Sequence, residues 1–187
     1  ALSLLSHQKK VWEQIRVEKE FQEELPRWKG DPHQLQQVMI NLFLNAADAM
    51  SAGGSGPGEK EKKLRIATRT LPPEEVAEFE EAAPRRRKED SPERNYALLR
   101  SRRDTPGSSP GEVQAVLRVE VEDSGPGIPP QALARIFEPF YSTKPPGEGT
   151  GLGLAICLRI LESYGGRIAV ESEKDKGTRF TVLLPVF

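Results

Sequence analysis

The chain has 187 residues, enough for one domain with a substantial core, and a single domain over 1–187 is the expectation. With 36% hydrophobic and 29% charged residues and a formal net charge of −1, it is neither an intrinsically disordered polymer nor a polycation suited to nucleic acid. Cys157 is the single cysteine, so no internal disulfide framework is possible. There is no apolar run of about 18 residues and no cleavable signal pattern, so a cytoplasmic location is expected, compatible with a membrane anchor elsewhere in a longer parent.

In chain order, Leu2 to about Gln14 reads as a helix carrying Leu4, Leu5, Val11 and Trp12. Ile15, Val17, Lys19 and Phe21 then share one side of an alternating stretch, which predicts a strand against a core. Asp31-Pro32 opens a long helix to about Met50, with Asp31 as N-cap and Pro32 in the first turn. Successive helical residues turn by about 100°, so Leu35, Met39, Leu42, Ala46 and Ala49 form the expected core stripe. Gln37, Asn41, Asn45 and Asp48 fall on a separate polar strip that one ligand could meet.

Leu64 to Thr70 and Val113 to Glu122 read as strands. Between them, residues 71–112 hold Pro72-Pro73, Arg85-Arg86-Arg87-Lys88 and Pro106-Gly107-Ser108-Ser109-Pro110, and read as a polar insertion. Helical pieces are expected near Glu74 to Glu81 and Glu93 to Arg102.

A glycine turn, Asp123-Ser124-Gly125-Pro126-Gly127, follows the second of these strands. Asp123 could accept a hydrogen bond from an exocyclic amino group, while Gly125 and Gly127 leave room for a flat base such as adenine. Ile136 to Phe140 and the Pro- and Gly-rich segment Tyr141 to Glu148 read as a cover over a site. A second glycine turn, Gly149-Thr150-Gly151-Leu152-Gly153, runs into a helix through Leu154, Cys157, Leu158 and Leu161, so its free N–H groups could meet phosphate. Cys157 belongs to the packing face. Arg167 to Glu173 and Thr178 to Pro185 read as a β-hairpin around Asp175-Lys176-Gly177.

In this order the motifs resemble the catalytic, ATP-binding domain of sensor histidine kinases, within the wider group of DNA gyrase, the Hsp90 chaperones and MutL. Gln37 to Ala46 resembles the N box, Asp123 to Gly127 the first glycine box, Phe137 to Phe140 the F box and Gly149 to Leu154 the second glycine box. Gly177-Thr178 resembles a final short glycine motif. The resemblance implies an α/β two-layer sandwich, with helices on one face of a mixed, mainly antiparallel sheet. It further implies ATP and Mg2+ as ligands.

By the same resemblance, Asp123 recognises the adenine amino group beside Gly125, Gly127, Ile128 and Thr178. Asn45 holds magnesium and, with Asn41, forms the catalytic pair, with Asp48 on the same strip. Phe140, Thr143 and Lys144 belong to the nucleotide-facing lid, although aromatic burial alone would also make Phe137 and Phe140 lid anchors. Gly149, Thr150, Gly151, Leu152, Gly153 and Leu154 surround the phosphates. Asn41 stands where hydrolysing members of the wider group carry a glutamate, and an amide takes no proton near neutral pH.

The resemblance therefore implies γ-phosphoryl transfer to a histidine on a separate dimerisation hairpin, with a response regulator downstream. His7 and His33 both lie outside the acceptor context, so the chain reads as an isolated monomeric catalytic module. A gyrase- or MutL-like ATPase and a degenerate nucleotide-binding module that docks a partner are the alternatives.

Overall fold

The structure is a computed structural model that describes residues 9–52, 61–73, 75, 94–99, 113–144 and 149–187. In chain order these form α1 (Lys9–Trp12), β1 (Ile15–Phe21), α2 (Pro32–Ala52), β2 (Lys62–Leu71), β3 (Arg94–Leu99) and β4 (Ala115–Asp123). Then come α3 (Pro130–Leu133), α4 (Gly153–Ser163), β5 (Arg167–Glu173) and β6 (Gly177–Val186).

The strands make one six-stranded sheet in the order β1-β2-β4-β6-β5-β3. Only the β1–β2 pairing is parallel. The mixed, mainly antiparallel α/β architecture is thus as the sequence implies.

Local chemistry explains where α2 begins. Asp31 Oδ1 accepts the His33 N–H at 2.8 Å, and the Asp31 carbonyl accepts the Leu35 N–H at 3.2 Å. The cap satisfies a donor that the first turn would otherwise leave open, and Pro32 has no N–H to lose.

The buried stripe of α2 is Val38, Leu42, Phe43, Ala46, Ala47 and Met50. This differs from the expected stripe. Leu35 and Met39 are only partly buried at its margin, and Ala49 turns toward a cavity instead. The shift has a physical reason: α2 packs against both the sheet and α4, so its apolar arc is wider than a single row.

The inner sheet face brings Leu64 and Ile66 of β2, Leu117, Val119 and Val121 of β4, Ile168 and Val170 of β5, and Phe180, Val182 and Leu184 of β6 into that core. From α4, Cys157 and Leu161 complete it. The α4 helix stops where expected, with the Gly166 N–H returning to the Leu161 carbonyl at 2.8 Å.

The opposite face carries a row of charges set by strand register. Glu18, Arg65, Glu122, Arg179 and Glu171 lie side by side across β1, β2, β4, β6 and β5. Arg65 pairs with Glu122 at 3.3 Å, Arg179 with Glu122 at 3.0 Å and with Glu171 at 3.5 Å, and Arg65 also reaches Glu20 on β1.

One expectation is overturned. The stretch 93–102 contributes the edge strand β3, not a helix, and pairs antiparallel with β5 from Arg94↔Glu173 to Leu99↔Ile168. Its alanine and leucines favour helix, but pairing satisfies the row of N–H and C=O groups that β5 would otherwise leave open. The expected helix at 74–81 lies outside the described residues except for Glu75. Arg85 to Lys88 and residues 2–8 of the expected first helix lie outside them altogether.

Leu42 is fully buried at the centre of α2, whereas Phe21 at the end of β1 is 54% exposed. Leu42→Ala is therefore expected to cost about 2–5 kcal/mol in urea unfolding, and Phe21→Ala less than about 0.5 kcal/mol.

Candidate functional site

A cavity of about 640 Å³ opens between α2, the first glycine turn, residues 141–144 and 149–151, and the start of β6. That volume suits a ligand of nucleotide size.

Its walls come from distant parts of the chain. Asn45, Asp48 and Ala49 project from α2, and Asp123, Gly127 and Ile128 from the end of β4 and the turn beyond it. Thr143 and Lys144 come from the cover segment, Gly149, Thr150 and Gly151 from the second glycine turn, Gly153 and Leu154 from the start of α4, and Thr178 from β6.

Asp123 is 5% exposed at the last position of β4. Its Oδ1 accepts the Gly125 N–H at 2.8 Å, and the Thr178 backbone also hydrogen-bonds the carboxyl. Burial nevertheless dominates, with Glu122 adding repulsion, and the carboxyl is pushed up to about 7 from the usual 3.8. A group buried this deeply with its charged form so disfavoured is a candidate for ligand contact, because a donor brought in by a ligand relieves the penalty.

Gly127 has φ +77°, and a side chain there would run into the carbonyl of Glu173 on the hairpin. Gly151, at φ +65°, lies against the backbone of Phe140, whose N–H donates to the Gly151 carbonyl at 2.9 Å. Both turns thus require glycine for conformation and for close approach. At Gly125 a side chain would crowd the Asp123 carboxyl.

Asn41 is beside the cavity and not among its lining residues. Its Nδ2 donates to the Gly153 carbonyl at 3.2 Å, fastening α2 to the first residue of α4. Gly125 and Leu152 likewise stand behind the lining. Lys144 Nζ forms an ion pair with Asp48, which ties the cover segment to α2.

Phe140 departs from both expected roles, as a nucleotide contact and as a lid anchor. It is 78% exposed and lines no part of the cavity. Its φ of +67° turns the chain after Pro139 and carries the ring outward, while Phe137 stays buried in the core as expected. Residues 145–148 of the cover lie outside the described residues.

Cys157 is packing. Its thiol is buried, donates to the Val38 carbonyl at 3.7 Å and is pushed up to about 11 by burial, far from a reactive thiolate.

Residues 97–187 match the family of histidine kinase-, DNA gyrase B- and HSP90-like ATPases. The sensor kinase CckA of Brucella abortus is 36% identical over 157 residues, covering 84% of this chain and 13% of that protein. The sensory histidine kinase/phosphatase NtrB of Rhodobacter capsulatus is 34% identical over 170 residues, covering 91% of this chain and 37% of its own length. The nucleotide-free catalytic domain of histidine kinase ThkA superposes with a TM-score of 0.59 at 26% identity, covering 99% of this chain and 88% of that one.

Over residues 97–187 the chain belongs to the histidine kinase-like ATPase family. It is an ATP-binding catalytic domain that spans only a fraction of the curated relatives it matches.

In this histidine kinase-like domain several cavity residues were not singled out in advance: Ala49, Ser51, Pro126, Pro129, Ile136, Tyr141, Ser142 and Phe180. Ile136, Tyr141 and Ser142 fall in the segment read as a cover, which was the available signal. Phe180 offered none, because its alternation in β6 predicts only core.

The raised Asp123 carboxyl makes stability depend on pH. In the folded chain it holds its proton up to about pH 7, and in the unfolded chain only up to about 3.8. The cost of ionising it is absent below 3.8, grows as pH rises to about 7 and is constant above. Urea unfolding without nucleotide is therefore expected to show Asp123→Asn gaining stability over the parent chain at pH 8 and much less at pH 4.

Proposed function

We propose that this domain binds Mg-ATP and donates the γ-phosphoryl group to a histidine on a separate dimerisation hairpin, feeding a response regulator in a two-component phosphorelay. The observation that carries the reading is the convergence of Asn45, Asp123 and Gly151, from three distant segments, on one cavity of nucleotide size.

Asp123, once ionised, accepts a hydrogen bond from the adenine amino group. Gly127 and Ile128 border the flat base, and Thr178 lies on the floor beside the carboxyl. At the other end, Gly149, Thr150, Gly151 and Gly153 present backbone N–H groups at the start of α4, an 11-residue helix whose N-terminal end favours phosphate. Leu152 and Leu154 hold that turn on the helix. Lys144 supplies a point charge for the phosphates, and Thr143 a hydroxyl.

The amide oxygen of Asn45 suits magnesium. Among the described residues no three His, Cys, Asp or Glu side chains gather into a metal cage. That fits a cation taking one protein oxygen and the rest from triphosphate and water. Bound with the nucleotide, magnesium supplies neutralisation of charge on the transferring group.

The domain's own contribution is then positioning. Asn41 cannot act as a general base, and its N–H already goes to Gly153, so it holds the phosphate turn and activates no water. This supports transfer over rapid hydrolysis.

His33 stands in the first turn of α2, away from the cavity lining. With His7 also outside the acceptor context of the sequence, we assign the acceptor to another part of the parent kinase and take the domain on its own as a monomer. Among the described residues no helix is long and apolar enough to cross a membrane, and we place the domain in the cytoplasm.

Calorimetric titration with Mg-ATP tests the pocket. Asp123→Ala is expected to weaken binding by about 10- to 100-fold, and unchanged affinity would remove adenine recognition from this reading. Mixing the domain with a histidine-bearing hairpin and labelled ATP tests the transfer. Acid-labile phosphate on the hairpin is the expected product, and label found only as inorganic phosphate would favour an ATPase.

A further inference from the structure

Behind the cavity floor, Ser172 of β5 is 4% exposed. Its hydroxyl meets three groups: the Ile128 N–H at 2.7 Å, the Gly177 carbonyl at 3.1 Å and the Thr178 hydroxyl at 3.1 Å.

A hydroxyl has one proton and two lone pairs. The Ile128 N–H can only donate, so it occupies one lone pair of Ser172. The Gly177 carbonyl can only accept, so it takes the Ser172 proton. Contact with Thr178 is then satisfied only if Thr178 gives its own proton to the remaining lone pair.

Thr178 lines the cavity, and with its proton directed at Ser172 it has only lone pairs to offer there. Beside it Asp123, held by backbone N–H groups of Gly125 and Thr178, also offers acceptors when ionised.

We infer that Ser172 is a positioning residue for base specificity: by holding the Thr178 proton it fixes the floor as hydrogen-bond acceptors and selects an exocyclic amino group over a 6-oxo purine. This rests on the adenine-nucleotide reading above. A plainly structural role for Ser172, pinning the turn at Ile128 to the β5–β6 hairpin, would support every base equally.

The test is a calorimetric comparison of Mg-ATP with Mg-inosine triphosphate, which carries oxygen where ATP carries the amino group. It is run at pH 8, above the value near 7 for Asp123. The parent chain is expected to prefer ATP by roughly 100-fold. Ser172→Ala frees the Thr178 proton to turn toward a 6-oxo group, and the preference is expected to fall about tenfold, with the share due to Asp123 persisting.

Equal losses for both nucleotides, leaving the ratio intact, would overturn the inference. Thr178→Val provides a second arm, because it removes the floor acceptor while the Ser172 bonds to Ile128 and Gly177 stay in place. The same fall in ratio is expected there, and an unchanged ratio overturns the inference even if Ser172→Ala does not fold. A parent chain that binds ATP and inosine triphosphate equally well sinks the inference alone, whereas one that binds neither sinks the nucleotide reading with it.

Discussion

The site depends on a carboxyl that the fold buries almost completely, with only its cavity side left open. Asp123 ends a strand whose inward neighbours are Val119 and Val121, so the register that builds the core also buries an acid. The surrounding chain offers two backbone N–H groups, enough to hold the carboxyl in place and too few to cancel its desolvation. What is left is an acceptor in want of a donor, in a cavity wall it shares with Gly127, Ile128 and Thr178. A donor brought by a ligand recovers what burial takes away.

The end of the cavity at the second glycine turn is built on a different principle. Gly153 begins α4, and the Asn41 amide clasps its carbonyl from α2. Farther along the same pair of helices, the Cys157 thiol donates to the Val38 carbonyl. These two cross-helix bonds, with the shared apolar packing of Leu42 and Leu161, hold the start of α4 in fixed relation to Asn45. The cover segment is tied more lightly, through the Lys144 ion pair with Asp48 and the Phe140 to Gly151 backbone bond. Both ion-pair partners are substantially exposed, so that tie is weak. The molecule thus pairs a rigid floor with a lightly held rim.

Much of this is legible in the sequence because many of the residues in and around the cavity lie in short, local motifs. Asn41 and Asn45 follow from helical spacing, Asp123 from its place between a strand and a glycine turn, and Gly149 to Gly153 from the run into α4. The Asp31 cap and the β5–β6 hairpin were equally local. What escaped depends on how distant segments meet. The 94–99 stretch carries helix-forming residues yet pairs as a strand because β5 has an open edge. Ala49 looks like core until α2 is seen to pack on two surfaces at once, and Phe140 looks like an anchor until its left-handed backbone turns the ring outward. Ser172 gave no sign at all, since a serine in a hairpin strand is ordinary until the turn at Ile128 arrives against it.

The row of alternating acids and bases on the outer sheet face bears on how the strands find their partners. Each pair is individually weak, but the row is continuous from β1 to β5. Sliding any one of these strands by a single residue would exchange its two faces, sending Arg65, Glu122 or Arg179 into the apolar layer and a leucine or valine out to solvent. Misaligned assemblies are thereby penalised twice, once for the stranded charge and once for the lost apolar contact. The ladder acts as an alignment key for a sheet whose strands lie in an order far from that of the chain.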